Sequence, residues 1–135
     1  MKNLEFKGSF ETDVFDVTSL VQEELARSKV QRGLATVHTP GSTAAVTTIE
    51  YEAGALSDLK DALEKLAPRE GIYAHNERWQ DGNGYSHLRA ALLGPSVSIP
   101  VEGGDLVLGT WQQIVVLDFD NRPRRRRVVI QIMGG

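Results

Sequence analysis

The sequence predicts an α+β fold: a mixed or antiparallel β-sheet sandwich carrying two to three helices, as a single domain over 1–135. Three observations lead there. Strand-type and helix-type segments interleave without alternating strictly, which disfavours a doubly wound parallel sheet. Trp111 to Asp120 and Arg124 to Met133 are strand-like runs joined by a short turn, Asn121-Arg122-Pro123, and read as an antiparallel hairpin. The length of 135 residues, 41% of them hydrophobic and 24% charged, suffices for one hydrophobic core and not for two.

Leu4, Phe6, Gly8 and Phe10 recur at period two, which predicts a half-buried strand running toward Phe15. Thr18 is placed to cap a helix through Ser28, with Leu20, Val21 and Leu25 as its apolar face and Gly33 soon after its end. Leu34 to His38 and Thr43 to Ile49 read as two strands separated by the turn residues Thr39, Pro40, Gly41 and Ser42. Leu56, Leu59, Leu63 and Leu66 fall at helical spacing, and this second helix must stop before Pro68, which lacks an amide hydrogen.

From Arg69 to Ser86 the chain turns polar and contains Asp81-Gly82-Asn83-Gly84, so irregular structure is expected there. Irregular stretches of this length commonly carry function. Ser86 is positioned to cap a short helix from His87 to Leu93 that Gly94 closes; Val97 to Val101 and Leu106 to Leu108 read as short strands before the C-terminal pair.

Composition removes several classes of function. With no cysteine the chain can form neither a disulfide nor a thiolate metal site, leaving His, Asp and Glu as its strong metal ligands. Met1 to Phe10 lacks a signal-peptide apolar run, and no segment is long enough to span a bilayer. The expected location is the cytoplasm, without a membrane partner. A net charge of -3 argues against a general nucleic-acid binder.

All three histidines sit beside element ends or turn signals: His38 closes a strand, His75 lies in the polar segment and His87 begins a short helix. The expectation is that they gather with nearby acids into one polar site. Three neutral imidazoles would leave an open position on a divalent ion, zinc first and nickel or magnesium as alternatives. No short ligand motif such as His-Glu-x-x-His is present, so satisfied surface or core histidines stand as the alternative. Glu50, Glu52, Glu77 and Asp81 are the neighbouring acids, each able to ligate, to orient an imidazole or to move a proton.

His38 to Thr43 offers hydroxyls and a glycine-exposed backbone that can cradle an anion, although it is no P-loop. Nothing like Gly-x-Ser-x-Gly surrounds Ser42 or Ser86, which argues against a serine hydrolase. Gly109-Thr110-Trp111-Gln112 joins a large aromatic to a donor/acceptor amide, a set suited either to flooring a pocket for a flat ring or to core packing. Arg124 to Arg127 put two guanidinium groups on each face of a strand start. Such a run is ordinarily a solvated edge that blocks strand addition; otherwise it holds an anion or pairs with acids of a neighbouring subunit.

Taken in order, these pieces resemble the YjbQ-like proteins, often described as secondary thiamine-phosphate synthases. The resemblance rests on His38-Thr39-Pro40, Thr43 to Thr47 leading to Glu50, Tyr73-x-His75, Gly82-Asn83-Gly84 with His87 to Ala90, Leu92 to Ser96, Ile99-Pro100-Val101 and Leu108 to Gln112. It spans nearly the whole chain. It implies a small α+β fold assembling as a homotrimer, with a histidine-lined metal site often at a subunit boundary. His38, His75 and His87 correspond to the motif histidines, Glu50 to the motif acid, and Trp111 with Gln112 to the Gly-Thr-Trp-Gln signature.

Glu50, Asp81, Trp111 and Gln112 are the candidate catalytic groups, and the three histidines the candidate metal ligands. The implied activity is a weak transfer joining a pyrimidine methyl diphosphate to a thiazole phosphate with loss of pyrophosphate. The same residues would serve a metal-dependent hydrolase of a small phosphorylated or amide substrate, or a non-catalytic trimeric module that binds an anionic metabolite. Two departures from the family pattern stand out: Thr47-Thr48-Ile49-Glu50 replaces the common Thr-Ile-Asn-Glu, and Tyr51 to Ala55 replaces an acid-rich stretch.

Overall fold

A computed structural model describes residues 2–8 and 12–134. Eight strands and four helices follow one another as β1 (Lys2–Gly8), β2 (Asp13–Asp16), α1 (Thr18–Ser28), β3 (Arg32–His38), β4 (Ala44–Ile49), α2 (Ala53–Leu66), α3 (Ala74–Trp79), α4 (Gly84–Leu93), β5 (Ser96–Glu102), β6 (Asp105–Leu106), β7 (Gln113–Asp118) and β8 (Arg124–Gly134). The strands form a five-stranded sheet ordered β1-β8-β3-β5-β6 and a three-stranded sheet ordered β2-β7-β4. Every pairing is antiparallel. The predicted α+β sandwich is the fold found, with four helices where two to three were expected.

Two apolar layers hold it together. Val37, Ile99, Val128 and Ile130 of the large sheet meet Val46, Ile114 and Val116 of the small one, and Val21 and Leu25 of α1 pack into the same layer. On the other side of the small sheet, Ala45, Val115, Leu117 and Phe119 pack against Leu63 of α2 and Ala90 of α4. β7 therefore has both faces buried, which is why its sequence is a continuous apolar run and not an alternation. On the large sheet, successive side chains point to opposite faces. Val128 and Ile130 go inward while Arg127, Val129, Gln131 and Met133 go outward, so the outer face is mixed, with exposed Leu34 and Met133 side by side.

Helix ends follow local chemistry. The Thr18 hydroxyl donates to Asp16 and accepts the Ile114 amide at 2.8 Å, so it fastens α1 to β7 from inside the first turn and does not cap it. Lys29, in the left-handed region, ends that helix. Gly33 lies instead within β3, where a Cβ would come within 1.9 Å of the Met133 carbonyl oxygen. Glu52 caps α2 by accepting the Gly54 and Ala55 amides, which hold its carboxyl below the usual carboxylate range.

Further expectations are corrected. The single N-terminal strand is two, β1 pairing with β8 and β2 with β7; Phe10 lies outside the described residues. A short helix, α3, occupies part of the segment expected to be irregular, and α4 begins at Gly84. Ser86 is accordingly inside α4, where its buried hydroxyl donates to the Phe119 carbonyl instead of capping. β7 and β8 are not a hairpin: the chain leaves the small sheet at Asp118 and enters the large one at Arg124. The arginine run pairs with β1 on one side alone, since β3 meets β8 only from Val129 onward; it departs from a solvated edge in that Arg126 is buried.

The reason is a buried ion pair. Arg126, on β8, reaches across the sandwich and donates to Asp118 of β7 at 2.7 Å, with both residues almost wholly inside. It also donates to the carbonyl (3.2 Å) and hydroxyl (2.6 Å) of Thr43, at the start of β4. Sequence adjacency suggests a hairpin, but a buried guanidinium needs a carboxylate in reach, and here that partner stands on the opposite sheet.

Removing one partner leaves an uncompensated charge inside the protein. Arg126→Met and Asp118→Asn should each cost about 3–5 kcal/mol, and a double replacement of both by apolar residues should recover much of that loss. Urea unfolding of the four proteins measures this; single variants as stable as the parent would show that the pair holds nothing together.

Candidate functional site

Where the chain passes between sheets, β3 to β4 and β7 to β8, the two corners lie side by side: the Phe119 amide donates to the Thr43 carbonyl at 2.9 Å. Above them α3 and the first turn of α4 complete a cleft of about 490 Å³. Its walls are Gly41 to Thr43 from the first corner, Asp120, Arg124 and Arg126 from the second, and His75, Trp79, Asp81, Asn83 and His87 from the helical side.

The floor is a row of charges in contact. Arg126 holds Thr43, the Thr43 hydroxyl donates to Asp120 at 3.1 Å, and Arg124 Nε donates to the same carboxylate. Asp118 accepts the Asp120 amide as well as Arg126. Arg126 Nε and one Asp118 oxygen remain without a hydrogen-bond partner among the described residues. Arg124, about a third exposed, uses one of its five N–H groups on Asp120, which leaves others to face the cleft.

The helical wall carries the titrating groups. His75 and His87 have ring centroids 4.4 Å apart at an interplanar angle of 48°. His75 Nδ1 lies 3.2 Å from Asp81, close enough for an ion pair, although the nitrogen makes no well-aligned hydrogen bond. Asn83, with its amide nitrogen turned toward Asp81, donates to both carboxylate oxygens at 2.9 and 3.1 Å. Asn121 donates to the Asp81 carbonyl at 2.9 Å and ties this turn to the β7–β8 corner. The result is a carboxylate, an imidazole and a second imidazole in sequence, opposite guanidinium groups. Such a row can donate or accept a proton and can stabilise an anion.

Of the three histidines, only His75 and His87 share the cleft. His38 lies on the outer face of the large sheet, next to inward-facing Val37, and its Nδ1 is 2.6 Å from the Ser96 hydroxyl. Glu50, Trp111 and Gln112 lie at the far end of the small sheet. Ala44 and Asp118 pair at the cleft end and Ile49 with Gln113 at the other, five strand steps or roughly 17 Å away. There Gln112 donates to the Thr48 hydroxyl at 3.1 Å and accepts the Gly109 amide at 3.0 Å, which folds the loop upon itself and leaves Trp111 exposed. Among the candidate catalytic residues, Asp81 alone faces the cleft.

Among the described residues no three His, Asp or Glu side chains converge as a metal site. A divalent ion would find two imidazoles and two carboxylates in the cleft, with Asp81 already held by Asn83 and Asp120 by Thr43 and Arg124. Among the described residues the three histidines do not share one site, because His38 stands on the outer face of the large sheet.

Trp79, Asn83, Asp118 and Asp120 escaped the sequence reading as site residues. The acids carried a usable signal: two carboxylates flanking Phe119 in an otherwise apolar strand demand cationic partners, and the arginine run stands directly after them. A second hollow, of about 340 Å³, lies between α2 and α4. Its buried Arg89 is fully engaged by the Ala67 carbonyl, Glu64 and Thr12, and fastens the helices together.

A family model described as UPF0047 protein YjbQ-like matches residues 2–135. A UPF0047 protein of Archaeoglobus fulgidus is 42% identical over 130 residues, which cover 96% of this chain and 98% of that one. YugU of Bacillus subtilis, another UPF0047 protein, is 31% identical over 135 residues and 99% of each chain. Among solved structures, a YjbQ/UPF0047 family protein of Clostridium acetobutylicum has a TM-score of 0.90 at 36% identity, covering 98% of this chain and all, 100%, of that one.

Burial alone would raise the Asp120 carboxyl, but the Asn121 amide, Arg124 and Thr43 together outweigh it, and its pKa lies below the ordinary 3.8. A carboxylate depressed by folding stabilises the native state above the unfolded value, and that contribution is lost as pH falls through the folded value. Urea midpoints followed down through pH 3.8 should therefore fall more steeply for the parent than for Asp120→Asn. Equal slopes would mean that the network does not favour the charged carboxylate.

Proposed function

The chain belongs to the YjbQ-like, UPF0047, family, and from that premise we propose that its cleft is a transferase site of the thiamine-phosphate synthase kind. The reaction joins a hydroxymethylpyrimidine diphosphate to a thiazole phosphate. The bond between the pyrimidine methylene carbon and the diphosphate oxygen breaks, its electron pair leaving with pyrophosphate. The thiazole nitrogen lone pair forms the new carbon–nitrogen bond. One observation supports this reading above the others: the Asp81, His75 and His87 row faces the Arg124 and Arg126 guanidinium groups across one cleft.

Loose transfers of this kind need charge placed where the leaving group accumulates it. Arg124 and the Gly41 to Thr43 corner supply donors on one side. His87, on the facing wall, would serve as the acid that protonates the departing pyrophosphate oxygen. Asp81 orients His75, and His75 packs against His87 and limits how that ring can turn. Among the described residues no three His, Asp or Glu side chains form a metal site, and these roles fall to the side chains of the cleft itself. A homotrimer in the cytoplasm is the assembly and location this reading carries with it.

Purified protein supplied with the two phosphorylated substrates should release pyrophosphate and form the coupled product. His87→Ala should lower turnover by about 10²–10⁴-fold, the usual loss when a positioned acid is removed. Elemental analysis and added zinc, nickel or magnesium form the second arm, and light scattering reports the assembly. Neither product nor pyrophosphate under any metal condition would sink the transferase reading. Pyrophosphate released without coupling would convert it to a hydrolase.

A further inference from the structure

We infer that Trp79 is the platform against which a planar heteroaromatic ring of the anionic ligand stacks, so that the cleft selects phosphates that carry such a ring. The inference rests on the cleft being the anion site proposed above and adds which part of the ligand lies where.

Trp79 is the last residue of α3, four positions after His75, so the indole and the imidazole share one helix face. Both belong to the cleft wall. The indole is 64% exposed, although a side chain of this size ordinarily finds cover. Gln80, in the left-handed conformation, ends the helix immediately after it, with its amide bonded to the Asn76 carbonyl at 2.8 Å, so the position is set by a closed turn. The Arg78 guanidinium carbon lies 5.5 Å from the centre of the indole ring. A cation on an aromatic face both orients the ring and occupies part of it.

What the cleft offers is thus divided. Guanidinium groups and corner amides line the β8 side, and a large flat hydrocarbon surface stands on the α3 side beside the histidines. An inorganic anion would use only the first. A ligand that uses both carries its charge at one end and a flat, polarisable ring at the other. Stacking on an aromatic side chain suits any such ring because it relies on the π-face and not on a hydrogen-bond pattern. Trp111 offers no equivalent: it is similarly exposed but stands at the opposite end of the small sheet, away from the guanidinium groups.

The test is calorimetry on the full chain with two probes, inorganic pyrophosphate and thiamine phosphate, for the parent, Trp79→Ala and Trp79→Phe. Trp79→Ala should weaken thiamine phosphate binding by about 5- to 100-fold, the range seen when an aromatic platform is truncated. Pyrophosphate affinity should stay within about twofold, and Trp79→Phe should restore most of the loss, because a phenyl ring still stacks. Light scattering on the same samples checks that assembly is unchanged.

Both probes binding with Trp79→Ala indistinguishable from the parent would overturn the platform while leaving the anion site standing. Equal loss of both probes, or a change of oligomeric state in Trp79→Ala, would assign the indole to holding the cleft or a subunit contact, and would also overturn it. If neither probe binds the parent, the anion site itself fails and the platform with it.

Discussion

The buried contact between Arg126 and Asp118 is the constraint from which the rest of the architecture can be read. A guanidinium or a carboxylate alone in the interior would cost several kcal/mol in lost hydration, so each is tolerable only where the other is in reach. Asp118 ends β7 and Arg126 follows the start of β8. For these two to meet face to face, the strands must stand in opposite sheets. A hairpin would have set them side by side in one sheet. The same guanidinium holds Thr43 at the start of β4, so a single side chain locates both crossings between the sheets.

The cleft is a by-product of that clamp. Two corners brought together leave carbonyls, hydroxyls and charges that no sheet ladder satisfies, and the segment from Ala74 to His87 folds over them. A rigid sheet end here supplies fixed charges, and a less packed helical segment supplies the imidazoles and a carboxylate. Here the tether is specific, since Asn121 of the second corner grips the backbone of Asp81, which in turn faces His75. The position of the histidines therefore depends on the conformation of the corner beneath them.

Much of this was legible in the sequence, and what was missed has a common cause. Periodicity located α1 and α2 to within a few residues and found the strands that cross the cores, because apolar spacing reports which face is buried. It does not report the partner. The two-residue alternation of Arg124 to Arg127 fits an exposed edge and an interior strand with one arginine inside equally well, and only the acids at 118 and 120 tip the balance. Likewise His38, His75 and His87 look equivalent as turn-side histidines. One lies on the outer face of the large sheet, and inward Val37 beside it, by strand alternation, was the local clue. Glu50 and the Trp111–Gln112 pair close the far end of β4 and β7, so their link to Asp81 is along the chain and not in space.

The double burial of β7 carries its own consequence for how the molecule opens. Backbone groups on a central strand covered on both sides exchange with solvent only when the whole structure comes apart, whereas short elements with little packing open on their own. β7 is such a strand, and α3 has no buried residue at all. The cleft thus lies on a boundary between the slowest-opening and the fastest-opening parts of the protein. Local release of the helical wall would leave the charged floor, anchored to β7, in place.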